Sequence, residues 1–397
     1  MKTINSNKNR KATRIAFFPD RLAHYRLPIF RKLSNTRATC QIRFFSSNKK
    51  SINSINLIDT DASEIDVRTL NEVVIRNKVF WQSKIIIQTL SPETDVVVCW
   101  GEMHRISTWI AALAARFLRK PFIMWTHGLY GNEGTLKHIV RTTFYRTAQG
   151  LLLYGNHSKS LLQKAGFRRK NIQVIYNSLD FKKQREIAKS KPSGELIEFK
   201  KSIFPNIDNE RILIFCSRLV PKKDPVTLLE ALALANKGVN TFKLIIVGDG
   251  PYKTKIQDTI KTLKLEDSVH VFGACYREED LCSLFLISDM CISPGNIGLT
   301  ALHSLAYGTP VATHSDMDNQ MPEAEAVISG ENGVLFMRND AVDIVNKLKN
   351  WFADPPNRSE ILEFVESNVF NKYNVDYQTS VFFNMIDRSY EQHHNVL

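Results

Sequence analysis

The sequence predicts an α/β protein of two doubly wound, Rossmann-like domains facing a shared cleft, and three observations carry that prediction. Its 397 residues exceed what one ordinary hydrophobic core organises. Short β-rich apolar runs alternate with amphipathic helical stretches in both halves, the signature of parallel βαβ units rather than of a sandwich or a bundle. Between the halves lies a stretch with little periodicity, 177–209, rich in Lys, Ser and Pro, which reads as a link. With 43% hydrophobic and 23% charged residues the composition is globular, not disordered.

Strands are expected in the first half at 14–19, 40–45, 95–100, 121–126, 151–154 and 173–176, and in the second at 212–216, 243–247, 269–272, 290–293, 310–313 and 334–336. Helices fill most gaps. This places a first domain at 1–190, a linker at 191–208 and a second domain at 209–370. The tail 371–397 has no strand pattern, but Val381, Phe382, Met385 and Ile386 sit at helical spacing, as for a helix packing back on the first domain. Open α/β sheets bind ligands at the carboxyl ends of their strands, so candidate residues are sought there.

Charge is distributed unevenly. Residues 1–190 hold 33 Lys plus Arg against 12 Asp plus Glu, an excess of +21, whereas residues 191–397 hold 20 against 28, or −8. The first half therefore faces something anionic. Nucleic acid is disfavoured, because no helix-turn-helix, zinc or aromatic RNA-binding pattern accompanies the charge. Phosphorylated substrates and the anionic inner face of a membrane, which attracts about 1 kcal/mol per nearby Lys or Arg, remain. The longest apolar stretches, 106–118 and 121–125, are broken by Arg116, Arg119 and Lys120, short of the roughly 20 residues of a membrane span. The apolar run after the basic first residues is only Ile15 to Phe18, too short for a secretory signal, so a cytosolic chain is expected. The six cysteines show no C-x-x-C spacing and read as reduced, mostly buried thiols.

In "CSRLVPKKDPVTLLEAL", Arg218 follows a strand and Lys223 lies five residues on, before a helix. Guanidinium offers a fork to phosphate oxygens and ammonium a mobile point charge, a pairing suited to a diphosphate, although an Arg-x4-Lys pair taken alone reads more readily as a solvated turn. In "SPGNIGLTALHSLAYGTPV", Gly295 and Gly298 free the backbone ahead of a helix starting near Leu299, so that successive N–H groups can receive an anion. "GDGP" is not a dinucleotide fingerprint, because Lys253 occupies the place of its third glycine.

Taken together, "CSRLVPKKD", "LIIVGDGP" and "SPGNIGLTALHSLAYGTPV" resemble, in order and spacing, the nucleotide-sugar-dependent glycosyltransferases of the GT-B fold. The resemblance is to the family 4 group of retaining enzymes that build bacterial polysaccharides and lipid-linked glycans, and it runs from about residue 14 to about 350. It implies that Arg218 and Lys223 grip the donor diphosphate, with Asn296, Gly298, Leu299 and Thr300 at the adjoining turn and helix start. The nucleotide base falls near Gly273 and Cys275, and the matching "P-E" turn gives Glu323, with Gln320 beside it; a helix cap is the rival role for Glu323. Relatives carry two glutamates eight positions apart where this chain has Gly295 and His303. A neutral imidazole can still hydrogen-bond a ribose hydroxyl, so His303 keeps that role or is a helix-surface residue, while Asn296 can offer a sugar contact that Gly295 cannot.

In the first half, "PFIMWTHGLYGNEG" ends a strand at His127, which by itself reads as a core histidine; relatives often hold a histidine there, implying a role in orienting the sugar or stabilising charge. "FFPDRLAHYRLPIF" supplies Arg21, His24, Tyr25 and Arg26 for an acceptor phosphate or sugar, or simply a helix start at Pro28. Glu102 in "WGEMHR" and Glu133 in "GNEG" are the acidic candidates. The expected chemistry is hexosyl transfer from a nucleotide-diphosphate sugar to a hydroxyl of a glycan or lipid-linked acceptor, in cell-surface polysaccharide (lipopolysaccharide or capsule) synthesis. Cations and backbone donors would stabilise the departing diphosphate, with no metal and no cofactor. Retention is implied by the resemblance alone. Three rivals stand beside it: a metal-dependent transferase using Asp59-Thr60-Asp61, an epimerase of the same architecture, and a subunit that has lost catalysis.

Overall fold

The computed structural model describes residues 12–47, 65–76, 79–237 and 242–394. The chain divides into two compact units, Met1–Ser178 together with Val375–Leu397, and Leu179–Asn374. Both are doubly wound α/β units.

The first unit contains β1 (Thr13–Phe18), β2 (Cys40–Ser46), β3 (Val67–Thr69), β4 (Val73–Arg76), β5 (Val79–Trp81), β6 (Val96–Trp100), β7 (Phe122–Thr126), β8 (Gly150–Leu153) and β9 (Ile172–Val174). Seven of them form a sheet in the order β3-β2-β1-β6-β7-β8-β9, and its pairings are parallel. Chain direction across the sheet reverses between β1 and β6, which is where such sheets place their ligands. Val96, Val97 and Val98 are all fully buried, as a strand covered on both faces requires, and this is why β6 reads as a continuous apolar run. The helices α1 (Leu27–Thr36), α2 (Ser83–Leu90), α3 (Ile106–Phe117), α4 (Thr135–Arg146) and α5 (Asn156–Lys164) cover the sheet. On one face Ile29, Phe30 and Leu33 of α1 enter the core; on the other, Ile85 of α2, Ala111, Ala112 and Ala115 of α3, Phe144 of α4 and Leu162 of α5 do so.

The second unit opens with α6 (Phe181–Lys189) and α7 (Ser193–Ile203). It continues through β10 (Arg211–Cys216), α8 (Pro225–Ala235), β11 (Phe242–Val247), α9 (Lys253–Thr262), β12 (Val269–Gly273), α10 (Glu278–Leu286), β13 (Met290–Ser293), α11 (Thr300–Ala306), β14 (Val311–His314), β15 (Gly333–Phe336), α12 (Ala341–Ala353) and α13 (Arg358–Asn368). Its six strands run in the order β12-β11-β10-β13-β14-β15, again parallel, with the reversal between β10 and β13. Gly248 of "GDGP" adopts φ 144°, and a Cβ there would meet the Ser217 carbonyl oxygen at 1.9 Å. Only glycine lets the turn after β11 close on the turn after β10 that carries Arg218.

The last helix, α14 (Val375–His394), belongs to the first unit. Phe382, Phe383, Met385 and Ile386 join the same core as α1, and the Phe382 ring stacks on Phe17 of β1 at 5.8 Å. Gln378 fastens its start, donating to the Tyr176 carbonyl at 2.9 Å and accepting from the Ser178 hydroxyl at 2.6 Å.

Each strand expected from the sequence is present to within two residues. The domain limits need correction: the first unit stops at Ser178, not 190, and 191–208 is no linker, because α6 and α7 are helices of the second unit. Their pattern was hidden because α6 anchors itself through only two buried side chains. Phe181 stacks on Phe370 at 4.5 Å, and Gln184, a polar residue, is 4% exposed. The short β3 and the antiparallel β4–β5 hairpin were not foreseen, since three- and four-residue strands carry too little alternation to register. Asp59-Thr60-Asp61 lies outside the described residues.

Candidate functional site

At the carboxyl end of β10 the chain runs through Ser217 and an exposed Arg218 into a short 3-10 turn, Pro221–Lys223. Hydrogen bonds from Ser217 N to Val247 O and from Leu219 N to Asp249 O, both 3.0 Å, pin this turn to the next strand end. Asp224 then takes a left-handed conformation, φ 50°, and Pro225 starts α8. The turn is thereby held so that Lys223 bends inward. Its Nζ donates to the Asn296 carbonyl at 2.6 Å. Burial pushes the ammonium down to about 8, against the opposing pull of Glu323 and with help from Lys222.

Gly295, in turn, donates its N–H to the Lys223 carbonyl at 3.1 Å. A Cβ at Gly295 would lie 2.3 Å from the Lys222 carbonyl oxygen and 2.5 Å from the Lys223 Cα. This is why the position where relatives are expected to carry glutamate holds glycine here: the backbone of the Lys223 turn fills the space. Asn296 is 4% exposed, and its side-chain oxygen has no hydrogen-bond partner among the described residues. Gln320, beside Glu323, is the brace of this region. It accepts from Ile297 N at 2.9 Å and donates to the Thr313 hydroxyl and the His314 carbonyl at 2.8 and 2.9 Å. Glu323 is 2% exposed within a short 3-10 segment, so its charge acts on Lys223 and does not cap a surface helix.

Gly298 and Leu299 lead into α11, which begins at Thr300, and the Thr300 hydroxyl ties that start to the Cys216 carbonyl at 2.9 Å. Arg218, Lys223, Asn296, Gly298, Leu299 and Thr300 thus occupy neighbouring strand ends of one sheet, cationic and rich in backbone donors, an arrangement that can hold a diphosphate. Gly273 ends β12 with φ 91° and accepts from Gly248 N at 2.7 Å; Cys275 follows, half-buried, with burial raising its thiol. Both lie at the carboxyl edge of the same sheet.

His303 is not a simple helix-surface residue. Its Nδ1 lies 2.9 Å from Gln184 Nε2 and 3.5 Å from Glu278 Oε1. Glu278 also accepts from Gln184 at 2.8 Å and from the Tyr307 hydroxyl. Burial alone would raise this carboxyl, but hydrogen bonds from His303, Tyr307 and Gln184 outweigh it and hold Glu278 at about 2. Gln184, Glu278 and Tyr307 went unnoticed in the sequence: they are separated by tens of residues, and "REED" reads as a solvated charge run. His314, ending β14, is fully buried with no hydrogen-bond partner for either ring nitrogen among the described residues, and burial pushes it down to about 4, so it stays neutral.

In the first unit, His127 follows β7 in an aromatic cluster. Its ring lies 5.6 Å from Trp100 at the end of β6, 4.8 Å from Tyr154 just beyond β8 and 6.1 Å from Tyr130. Arg26 joins them: it donates to the Tyr154 hydroxyl at 2.5 Å, and its guanidinium sits 5.4 Å from both the Trp100 and Tyr154 rings and 5.9 Å from Tyr25. In the sequence Trp100 and Tyr154 are legible only as strand-end aromatics. Arg21 is half-buried on the same approach to α1. The two acidic candidates are occupied locally. Glu133 accepts from Tyr130 N and Gly131 N at 2.8 and 2.9 Å and pairs with Arg141 at 2.6 Å. These hold its carboxyl low despite burial, so it fixes the loop after His127 instead of reaching outward. Glu102 accepts from His104 N at 3.3 Å within its own turn.

Residues 197–366, most of the second unit, match the family model "Glycosyl transferases group 1". The chain is 33% identical over 112 residues to alpha-monoglucosyldiacylglycerol synthase of Streptococcus pneumoniae, covering 28% of this chain and 25% of that protein. It is 22% identical over 312 residues to chitobiosyldiphosphodolichol beta-mannosyltransferase of Debaryomyces hansenii, covering 74% of this chain and 61% of that one. It therefore spans less than two thirds of the length of either curated relative. Among solved structures, Anabaena HepE in complex with UDP superimposes with a TM-score of 0.72 at 16% identity, over 95% of this chain and 100% of that one, a likeness of fold.

Proposed function

We propose that this chain, whose residues 197–366 match the group 1 glycosyl transferases, moves a hexosyl group from a nucleotide-diphosphate sugar to a hydroxyl of a glycan or lipid-linked saccharide. The observation that carries this reading is the half-buried Lys223 ammonium held against the Asn296 carbonyl one turn from Arg218, ahead of the Gly298–Thr300 helix start. Negative charge gathers on the departing diphosphate as the sugar carbon becomes cationic, and preorganised cations with backbone donors stabilise that charge where it develops. The proposal needs no metal ion for this. It assigns His127 to the sugar, Gly273 and Cys275 to the base, Asn296 to the sugar hydroxyls and His303, held by Glu278, to the ribose. Arg21, Tyr25 and Arg26 would meet the acceptor. Glu102 and Glu133 are left as loop supports.

The course with retention, in which the acceptor attacks on the leaving-group face, belongs to this proposal by family resemblance. So does a place at the inner membrane in cell-surface polysaccharide synthesis, supported by the basic first half and by relatives whose names speak of lipid products and lipid-linked saccharides. No described helix is long and apolar enough to cross a membrane.

A thermal-shift panel of UDP-, GDP- and dTDP-linked sugars, followed by incubation with a lipid-linked acceptor, tests the reading. Product formed only with acceptor supports the transferase. An isomerised sugar nucleotide would point to an epimerase, and donor binding without turnover to a subunit that has lost catalysis.

A further inference from the structure

Helix α3 wears its large apolar side chains on the outside. Its inner face packs on the sheet through Ala111, Ala112 and Ala115, each fully buried. Ile106, Ile110, Leu113 and Phe117, spaced i, i+4, i+7, i+11 and so aligned on one face, are 44, 42, 57 and 89% exposed. Large apolar side chains ordinarily fill the core; here alanines face the sheet, and the large apolar row is left substantially exposed among the described residues. The neighbouring helix continues the surface. Trp109 of α3 packs on Phe144 of α4 at 4.9 Å, and α4 leaves Leu136 and Ile139 76 and 54% exposed.

The charge carried by these helices has one sign. No Asp or Glu occurs within α2, α3 or α4, while Arg116, Arg119 and Lys137 are exposed at its margin. A second copy docking face to face would set these cations against one another with no carboxylate on these helices to meet them. At 12 residues, α3 is about 18 Å long, too short to span about 30 Å of hydrocarbon but suited to lying in the interface plane. We infer that the outer face of α3, with the adjoining face of α4, docks onto an anionic lipid bilayer, its apolar row entering the headgroup–acyl boundary and its Arg and Lys rim meeting lipid phosphates. This rests on the membrane placement proposed above and identifies the surface that makes it.

Vesicle flotation of the full chain without donor tests the inference, using phosphatidylcholine vesicles with and without phosphatidylglycerol. The wild-type chain is expected to float with the anionic vesicles and to keep part of its binding at about 0.5 M salt, where the charge contribution is screened. Ile110→Gln/Leu113→Gln/Phe117→Gln should lower partitioning by about tenfold or more, because the buried apolar area is lost. Arg116→Gln/Arg119→Gln should weaken binding and flatten its salt dependence. Phe117→Trp gives a readout independent of any loss of folding: its added fluorescence should shift to the blue on vesicles and be quenched by brominated lipid. The idea is overturned if the triple variant floats like the wild type, or if Trp at 117 does not respond to vesicles. It is equally overturned if the wild type ignores vesicles and instead forms a dimer that the triple variant dissolves. Because flotation uses no donor, its failure leaves the transferase reading to the sugar-nucleotide panel.

Discussion

The ammonium of Lys223 reaches the backbone carbonyl of Asn296 at 2.6 Å, joining the turn after β10 to the turn after β13 on either side of the sheet's switch point. Burial brings this lysine to about 8, so it is mostly charged below that pH and becomes mostly neutral above it. A diphosphate binding beside it would favour the charged form, and affinity should therefore fall as pH rises through about 8, by up to about tenfold per unit. UDP titrations between pH 7 and 9.5 check this: Lys223→Arg, which stays protonated, should give a flat profile, and Lys223→Ala should lower turnover by about a hundredfold at pH 7.5. A flat wild-type profile would mean that the ammonium stays charged throughout this range, and near-normal turnover of Lys223→Ala would remove Lys223 from the donor grip.

Gly295→Glu restores the carboxylate that relatives are expected to have, yet it should damage this protein. The new Cβ would fall 2.3 Å from the Lys222 carbonyl oxygen, backbone that cannot step aside without moving Lys223. Overpacking of this kind costs about 1–3 kcal/mol, so a lowered melting temperature and weaker UDP binding are expected together. A gain in turnover at unchanged stability would refute the steric account.

Glu278 should leave a signature in acid. Burial opposes its charge, but bonds from His303, Tyr307 and Gln184 prevail and place it at about 2 in the folded chain, below its ordinary 4.5. A depressed carboxyl contributes stability that is present above the unfolded value and disappears as pH falls from about 4.5 towards 2. Denaturant midpoints measured from pH 6 to 3 should show Glu278→Gln losing about 1–2 kcal/mol at pH 6, with the difference closing at low pH.

Phe382→Ala in α14 should destabilise the first unit by about 3–5 kcal/mol, since the ring is fully buried against Phe17, Trp125 and Phe383. Hydrogen exchange resolved by segment should place the loss in 12–178 and 375–394 and spare the second unit. Uniform loosening of both units would contradict the division seen here.

Much of this protein was written locally. Parallel strands buried on both faces produce unmistakable apolar runs, and glycines such as Gly248 and Gly298 punctuate them, so the two sheets and the strand-end positions of Arg218, Lys223 and His127 follow from short stretches of sequence alone. Tertiary structure decided what depends on distant partners. Gln184, Glu278, His303 and Tyr307 meet only because α6, α10 and α11 pack together, and a buried glutamine or a glutamate in an acidic run has no pattern to betray it. Likewise Glu133, legible only as an acid near a strand end, proved to be engaged by its own loop, and Gly295 proved to be walled in by the backbone of Lys222 and Lys223. Periodicity records which side of one element is apolar; which polar groups share a proton or exclude a side chain is fixed by contacts that form only when the elements assemble.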